Sequence, residues 1–310
     1  MMDRRSFLAG SAVAGLGLAA GVRAAEAPSR PYVIFTKHLK ELSVEQLIDA
    51  MKAIGADGVD LCVRPGYPVN PDNAAEALAP AAQAFRDAGL SIPMVTTPTD
   101  LTSVSVPYVE ALFGACGEAG VRLLKPGYWP APSDGYWSAV GKMKADVRAF
   151  ADLGQRHGVK PCLHTHSGSN MGLNAAALMH VLRDFTPEEV GAYVDVGHLA
   201  VCGEPPGLAF AMAAEWLAVV GIKDMDRVRT EKGTQVRTVV MGQGFVDWLQ
   251  VVGWLVKHGF SGPLSFHTEF PASSVEALLE QTKKDIAFIR ELERKVARSS
   301  GTNGAGTSAR

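Results

Sequence analysis

The stretch Arg156–Gly168, RHGVKPCLHTHSG, joins a helix end to a strand and then to two histidines. Gly158 follows a run ending in Arg156 and His157, where a left-handed glycine closes a helix. The run after it is short and apolar. Residues two apart in a strand share a face, so His164 and His166 project together from its end. Imidazoles are unusual where apolar side chains are expected.

The glycine-then-strand punctuation recurs in AIGADGVD, DAGLSIP, EAGVRLL and KHGFSGP. Strands are expected at YVIFTK, GVDLCV, SIPMVT, VRLLK, VKPCLH, VGAYVDV, LAVVGIK and GPLSFHTEF, each followed by an amphipathic helical segment. Eight such units predict an α/β fold, a single-domain (β/α)8 TIM barrel over residues 28–296. A doubly wound open sheet usually shows a glycine-rich phosphate loop after its first strand, and none is present.

The chain has 310 residues, is 47% hydrophobic and 20% charged, and carries a formal net charge of −2. That is globular composition. It contains no long basic run, which argues against nucleic acid as a partner. Residues 1–27 have paired arginines (Arg4, Arg5), an apolar core from Phe7 to Ala20 and small residues near Ala24–Ala27. This is the architecture of a Tat-type signal peptide. It predicts export, to the periplasm or otherwise through Tat, and no stable membrane span after cleavage. The tail, residues 297–310, is rich in Gly, Ser and Thr and is expected to be disordered. The four cysteines lack metal or redox spacing and read as reduced core residues.

Alternation sorts the strand faces. Val59, Leu61, Leu163, Val194, Val196, Val220, Ile222, Leu264 and Phe266 point outward under the helices. Asp60, Arg64, His164, His166, Asp195, Lys223, His267 and Glu269 then point inward. One such residue is more often a satisfied core polar group. Eight at strand ends are too costly to bury without a use, since buried charge requires a partner or a metal. Imidazole with carboxylate suits a borderline divalent metal. His164, Asp195 and Glu269 form the best set, with His198 as a fourth ligand, and His166 and His267 as further ligands or as partners of the ligands. The expected cofactor is one divalent metal: Mn, Co, Zn or Mg. Lys37, His38, Lys125 and Trp129, with Asp60 and Arg64, are the expected contacts to substrate. A connection of roughly twenty residues between Lys223 and Phe245, against a typical four to six, suggests a lid loop.

FTKHLKELSVEQL, GVDLCVRPG, HTHSG, YVDVGHLAVCGE, GIKDM, MGQGFVDW and GFSGPLSFHTEF together resemble the sugar phosphate isomerase/epimerase family of the xylose isomerase-like TIM barrels. The resemblance spans roughly residues 31 to 292. It implies one divalent metal held by a Glu after strand five, an Asp after strand six, a His after strand seven and a Glu after strand eight. Asp195 and Glu269 match. The strand-five position falls on His164 and the strand-seven position on or beside Gly221, so two of the four depart. It also implies a small sugar or polyol substrate and proton abstraction next to a carbonyl. Glu269 would be the principal proton-transfer residue, His166 and His267 the alternatives, and Lys223 an oxyanion partner. The expected function is therefore a sugar isomerase or epimerase. A lyase on an oxidised sugar or inosose and a non-catalytic sugar-binding barrel are the alternatives.

Overall fold

The computed structural model describes residues 30–303. The expected signal peptide, and the tail beyond Asn303, lie outside the described residues.

Eight parallel strands close a barrel. They are β1 (Tyr32–Phe35), β2 (Gly58–Cys62), β3 (Ser91–Thr96), β4 (Leu123–Lys125), β5 (Lys160–His164), β6 (Gly191–Asp195), β7 (Leu217–Ile222) and β10 (Leu264–Phe266), the last pairing back onto β1. All eight fall within the runs read from the sequence. The glycines that punctuate them, Gly55, Gly89, Gly120, Gly158 and Gly259, all have positive φ. A left-handed conformation stops the helix there with no Cβ penalty.

The helices form the outer layer: α1 (Val44–Ile54), α2 (Ala74–Asp87), α3 (Val109–Ala119), α4 (Tyr136–His157), α5 (Ala175–Leu182), α6 (Val196–Cys202), α7 (Pro206–Ala213), α8 (Trp248–Lys257) and α9 (Val275–Asn303). Caps fix their starts. Ser43 and Gln46 make a capping box on α1, and Asp247 accepts from Gln250 N at 3.0 Å on α8. The last helix runs past Val296 to Asn303, so the start of the expected disordered tail is helical.

The two strand faces separate as alternation predicts. Val59, Val194, Val220, Leu264 and Phe266 join the large core beneath the helices. Met94, Cys162, Tyr193 and Val219 form a separate small cluster inside the barrel. This apolar floor blocks the lumen and leaves polar side chains to the strand C-terminal ends, where such barrels place their chemistry. All four cysteines are free thiols. Among the described residues no helix is long and apolar enough to cross a membrane.

The segment after Lys223 is not a loop. It folds as an antiparallel ribbon, β8 (Asp224–Thr230) with β9 (Gly233–Val239), paired over its whole length. The Asp224 carboxylate closes its base, accepting from the backbone N–H of Gly242 (2.8 Å), Gly244 (3.0 Å) and Val246 (3.3 Å) and from Trp248 Nε1 (3.0 Å). A Cβ on Gly244 would lie 2.2 Å from Asp224 Oδ1, so the clasp requires glycine. Two of the ribbon's arginines are tied down: Arg227 to the Val201 carbonyl and Arg237 to Asp226.

Candidate active site

The strand ends deliver the site. The last residue of β5 is His164 and the last of β6 is Asp195; Lys223 and His267 each follow directly on the end of a barrel strand. Asp195 is held twice. Its backbone N–H donates to Thr165 Oγ1 at 2.9 Å, and its Oδ1 caps α6 by accepting from His198 N at 3.1 Å. That leaves Oδ2 aimed into the lumen. Gly221 on β7 makes room for it, because a Cβ there would sit 3.0 Å from Asp195 Cα and Cβ. A side chain at the strand-seven position would therefore press on Asp195.

Three atoms converge. His164 Nε2 lies 3.5 Å and His267 Nδ1 3.4 Å from Asp195 Oδ2. His164 Nε2 and Asp195 Oδ2 are buried with no hydrogen-bond partner. Proton counting sharpens the point. Tyr193 OH donates to Asp60 Oδ2 (3.0 Å) and lies 2.6 Å from His267 Nε2. Its single proton is used on Asp60, so His267 Nε2 carries the hydrogen and donates to the tyrosine oxygen. His267 Nδ1 then turns a lone pair toward Asp195. Asp195 Oδ2 already has a cation 3.2 Å away in the Lys223 ammonium, and two imidazoles with one carboxylate suit a borderline divalent metal. The chain thus contains a possible His164/Asp195/His267 metal site.

Lys223 stands beside it. Its ammonium lies 3.2 Å from Asp195 Oδ2, 3.0 Å from Glu269 Oε2 and 2.9 Å from His198 Nε2. Burial opposes its charge, but Asp195 and Glu269 outweigh that and raise its pKa. It is a fixed cation and not a base. Asp195 answers in kind: burial pushes its pKa up, and the Lys223 and His198 charges bring it well below the usual range. Glu269 is likewise opposed by burial and drawn well down by Lys223, His267 and Lys37. Burial lowers the pKa of His164, His166 and His198 and takes His267 to about 4.

The expected site residues divide clearly. Lys37, Arg64, Lys125, His164, His166, Lys223, His267 and Glu269 line one pocket of about 60 Å³, together with Phe35, Thr96, Thr99, Tyr128 and Tyr193. Two expected metal ligands lie outside the converging set. Glu269 gives its oxygens to Lys37 (2.5 Å) and Lys223, and His198 gives its ring nitrogens to Ser167 Oγ (2.8 Å) and Lys223. His267 takes their place.

Three expected substrate contacts are displaced. Asp60 is wholly buried one layer below, accepting from Thr96 Oγ1 (2.6 Å), Ser265 Oγ (2.8 Å) and Tyr193 OH. His38 sits on a short 3-10 turn and lines a separate cleft with Phe270 and Leu278. Trp129 packs edge-on against Phe150 and donates to Asp146 Oδ2 at 2.9 Å. Tyr193 was not among the expected site residues. Its only sequence signal was an inward-facing position two residues before Asp195.

A scan against protein families matches residues 48–292 to the xylose isomerase-like TIM barrel. The chain belongs to that family. No curated protein sequence matches it significantly. Solved structures resemble it at low identity. L-ribulose 3-epimerase superposes with a TM-score of 0.68 at 17% identity, over 90% of this chain and 100% of that one. The 3-keto-D-glucoside 4-epimerase of E. coli gives 0.67 at 12%, over 85% and 100%. The probable 3-DHS dehydratase AsbF of Bacillus anthracis gives 0.65 at 15%, over 82% and 97%. At these identities the likeness establishes the fold.

Proposed function

We propose that this protein is an exported sugar or polyol isomerase or epimerase that removes a proton from carbon next to a carbonyl. The observation that carries the reading is the convergence of His164 Nε2, Asp195 Oδ2 and His267 Nδ1 beside Lys223 and Glu269 in one pocket. Two of the structures that the chain resembles bear the names of sugar epimerases, which supports the same class.

His164, Asp195 and His267 would hold the divalent metal. When bound, it supplies Lewis-acid polarisation of the carbonyl and the adjacent hydroxyl. Lys223 adds a permanent positive charge where an enediolate oxygen would develop. Glu269 stays ionised across the working pH range and is the principal proton acceptor. His166, whose Nδ1 lies 3.0 Å from the Ser167 carbonyl, is neutral at pH 7 and leaves Nε2 as a second proton carrier. Glu269 follows β10 and His166 follows β5, three places apart in the barrel order, so the two groups approach from different sides. Two proton carriers on two sides are what inversion at carbon requires. The paired arginines and apolar leader support export through Tat to the periplasm, where an unphosphorylated sugar is the expected substrate.

The test is metal analysis of cytoplasmically loaded protein, followed by proton NMR in deuterium oxide with ketoses, inososes and keto-glycosides. Metal-dependent exchange of a C–H next to the carbonyl is expected. Loss of a β-substituent in place of exchange would make the enzyme a lyase. Binding without either would make it a sugar-binding barrel.

A further inference from the structure

The pocket holds more positive charge than the metal cluster explains. Lys37 and Lys223 are both paired with Glu269, and Lys223 also with Asp195. Lys125 and Arg64 are different. Among the described residues neither makes an ion pair. Lys125 ends β4 at 1% exposure, and its Nζ has no hydrogen-bond partner. It rests 3.4 Å from the centre of the Tyr128 ring, a face that satisfies a cation on one side only. Arg64 is fixed by Nε donating to the Thr97 carbonyl at 2.9 Å, which leaves its terminal nitrogens for the pocket. The carboxylate below them, Asp60, has its oxygens taken by three hydroxyls.

The count of formal charges gives the same result. The pocket and the layer beneath it contain four cations (Lys37, Arg64, Lys125, Lys223) and three carboxylates (Asp60, Asp195, Glu269). With Lys125 protonated, one positive charge is uncompensated, and a divalent metal would add to the excess. An unpaired buried ammonium is costly unless something arrives to meet it. Burial first, and Arg64 second, push the Lys125 pKa well down, so the empty pocket favours the neutral amine and an arriving anion favours the ammonium. Tyr128 connects the corner to the metal cluster, its ring on Lys125 Nζ and its hydroxyl 3.0 Å from His164 Nδ1.

We infer that Lys125 and Arg64 form a recognition subsite for a carboxylate on the substrate, so that the enzyme acts on a keto sugar acid and not on a neutral sugar. This rests on the isomerase/epimerase reading and specifies its substrate class. A carboxylate is favoured over a phosphoryl group for two reasons. The excess is one charge, and no glycine lines the pocket to offer the backbone N–H cradle that phosphates usually find.

The test uses matched ligands on the full chain: D-fructuronate, D-fructose and D-fructose 6-phosphate, and the corresponding tagatose trio. They differ only at the carbon remote from the ketone. Binding is measured by calorimetry and exchange by NMR in deuterium oxide. The keto acid should bind roughly ten- to a hundredfold more tightly than the neutral ketose, the usual worth of a charge-assisted hydrogen bond. Lys125→Met should abolish that preference. It replaces, at similar volume, a buried amine that has no hydrogen-bond partner, so its melting temperature should not fall. Arg64→Gln, at a part-exposed position, should reduce the preference by a smaller factor.

Equal affinity for acid and ketose in both trios, no binding of either acid, or a preference that survives Lys125→Met would overturn the subsite. Tightest binding of the phosphates would overturn the carboxylate assignment. Exchange on the ketose without an acid preference refutes the subsite and leaves the proton-abstraction reading intact. Lys125-dependent acid binding without exchange does the reverse.

Discussion

Replacing Lys223 by Met is the most informative single change. The ammonium touches Asp195 Oδ2 at 3.2 Å, and Asp195 is wholly buried while Lys223 is 3% exposed. At an effective dielectric constant of about 20, two unit charges at that distance attract by about 5 kcal/mol. Removing one partner of a buried pair typically costs about 3–5 kcal/mol, because the other charge stays behind. For a domain of this size each kcal/mol moves the melting temperature by about 2–4 °C. Metal-free Lys223→Met should therefore melt roughly 6–20 °C below the parent in differential scanning calorimetry with a chelator present. Methionine fills nearly the same volume, so a cavity contributes little. Adding Zn²⁺ or Mn²⁺ should restore most of the loss, since a divalent cation at His164, Asp195 and His267 replaces the missing charge. The metal-induced rise should be larger in the variant than in the parent. A metal-free melting point within a degree or two of the parent would refute the charge-balance account. Equal metal-induced rises in both proteins would refute binding at Asp195.

Lowering the pH should destabilise the fold first through its histidines. His267 titrates near 4 in the folded chain against ~6.5 unfolded, so between those values only the unfolded chain takes the proton. Stability is then full above about pH 6.5 and falls by ~3 kcal/mol from this group down to pH 4, with His164, His166 and His198 acting in the same direction. A flat melting temperature from pH 7 to 5 would contradict this. On the proposed assignment, which gives Glu269 the proton transfer and not the metal, Glu269→Gln should lower turnover by roughly 10²- to 10⁴-fold with metal content unchanged; retained turnover, measured beside metal analysis, would pass the role to His166. His267→Gln should instead lose metal, read by equilibrium dialysis. Gly221→Ala should weaken metal binding by displacing Asp195, and Gly221→His should fail to restore the ligand found after strand seven in the family; normal metal affinity in Gly221→Ala would show that Asp195 tolerates the shift.

The barrel was legible because two local signals agree along the whole chain. A left-handed glycine ends each of several helices, and a two-residue alternation follows it. The same alternation names the inward face but not the height along the barrel axis. That is why Asp60 looked like a substrate contact and lies in the layer below. The ligand set was half legible. Which of His198, His267 and Glu269 faces Asp195 depends on where Lys223 places its ammonium, a competition among side chains that no spacing encodes. Trp129 was misplaced because its loop is laced to the next one, with Met171 N donating to the Trp129 carbonyl at 2.9 Å. The ribbon escaped notice because neither of its faces is apolar: DMDRVRT and GTQVRTV set charged and polar residues on both sides, so no hydrophobic period marks the strands.

The Asp224 clasp divides the chain into a part that must stay constant and a part that is free to vary. Lys223 belongs to the barrel, yet the very next residue gathers both ends of the ribbon with one carboxylate. Whatever happens between Met225 and Val239 is returned to the same point before α8 begins. Insertions, deletions or wholesale exchange of that segment can therefore be absorbed while the spacing of Lys223 from Asp195 is preserved. A lineage that lengthens or trims the ribbon would leave the barrel untouched, and so would a directed-evolution library.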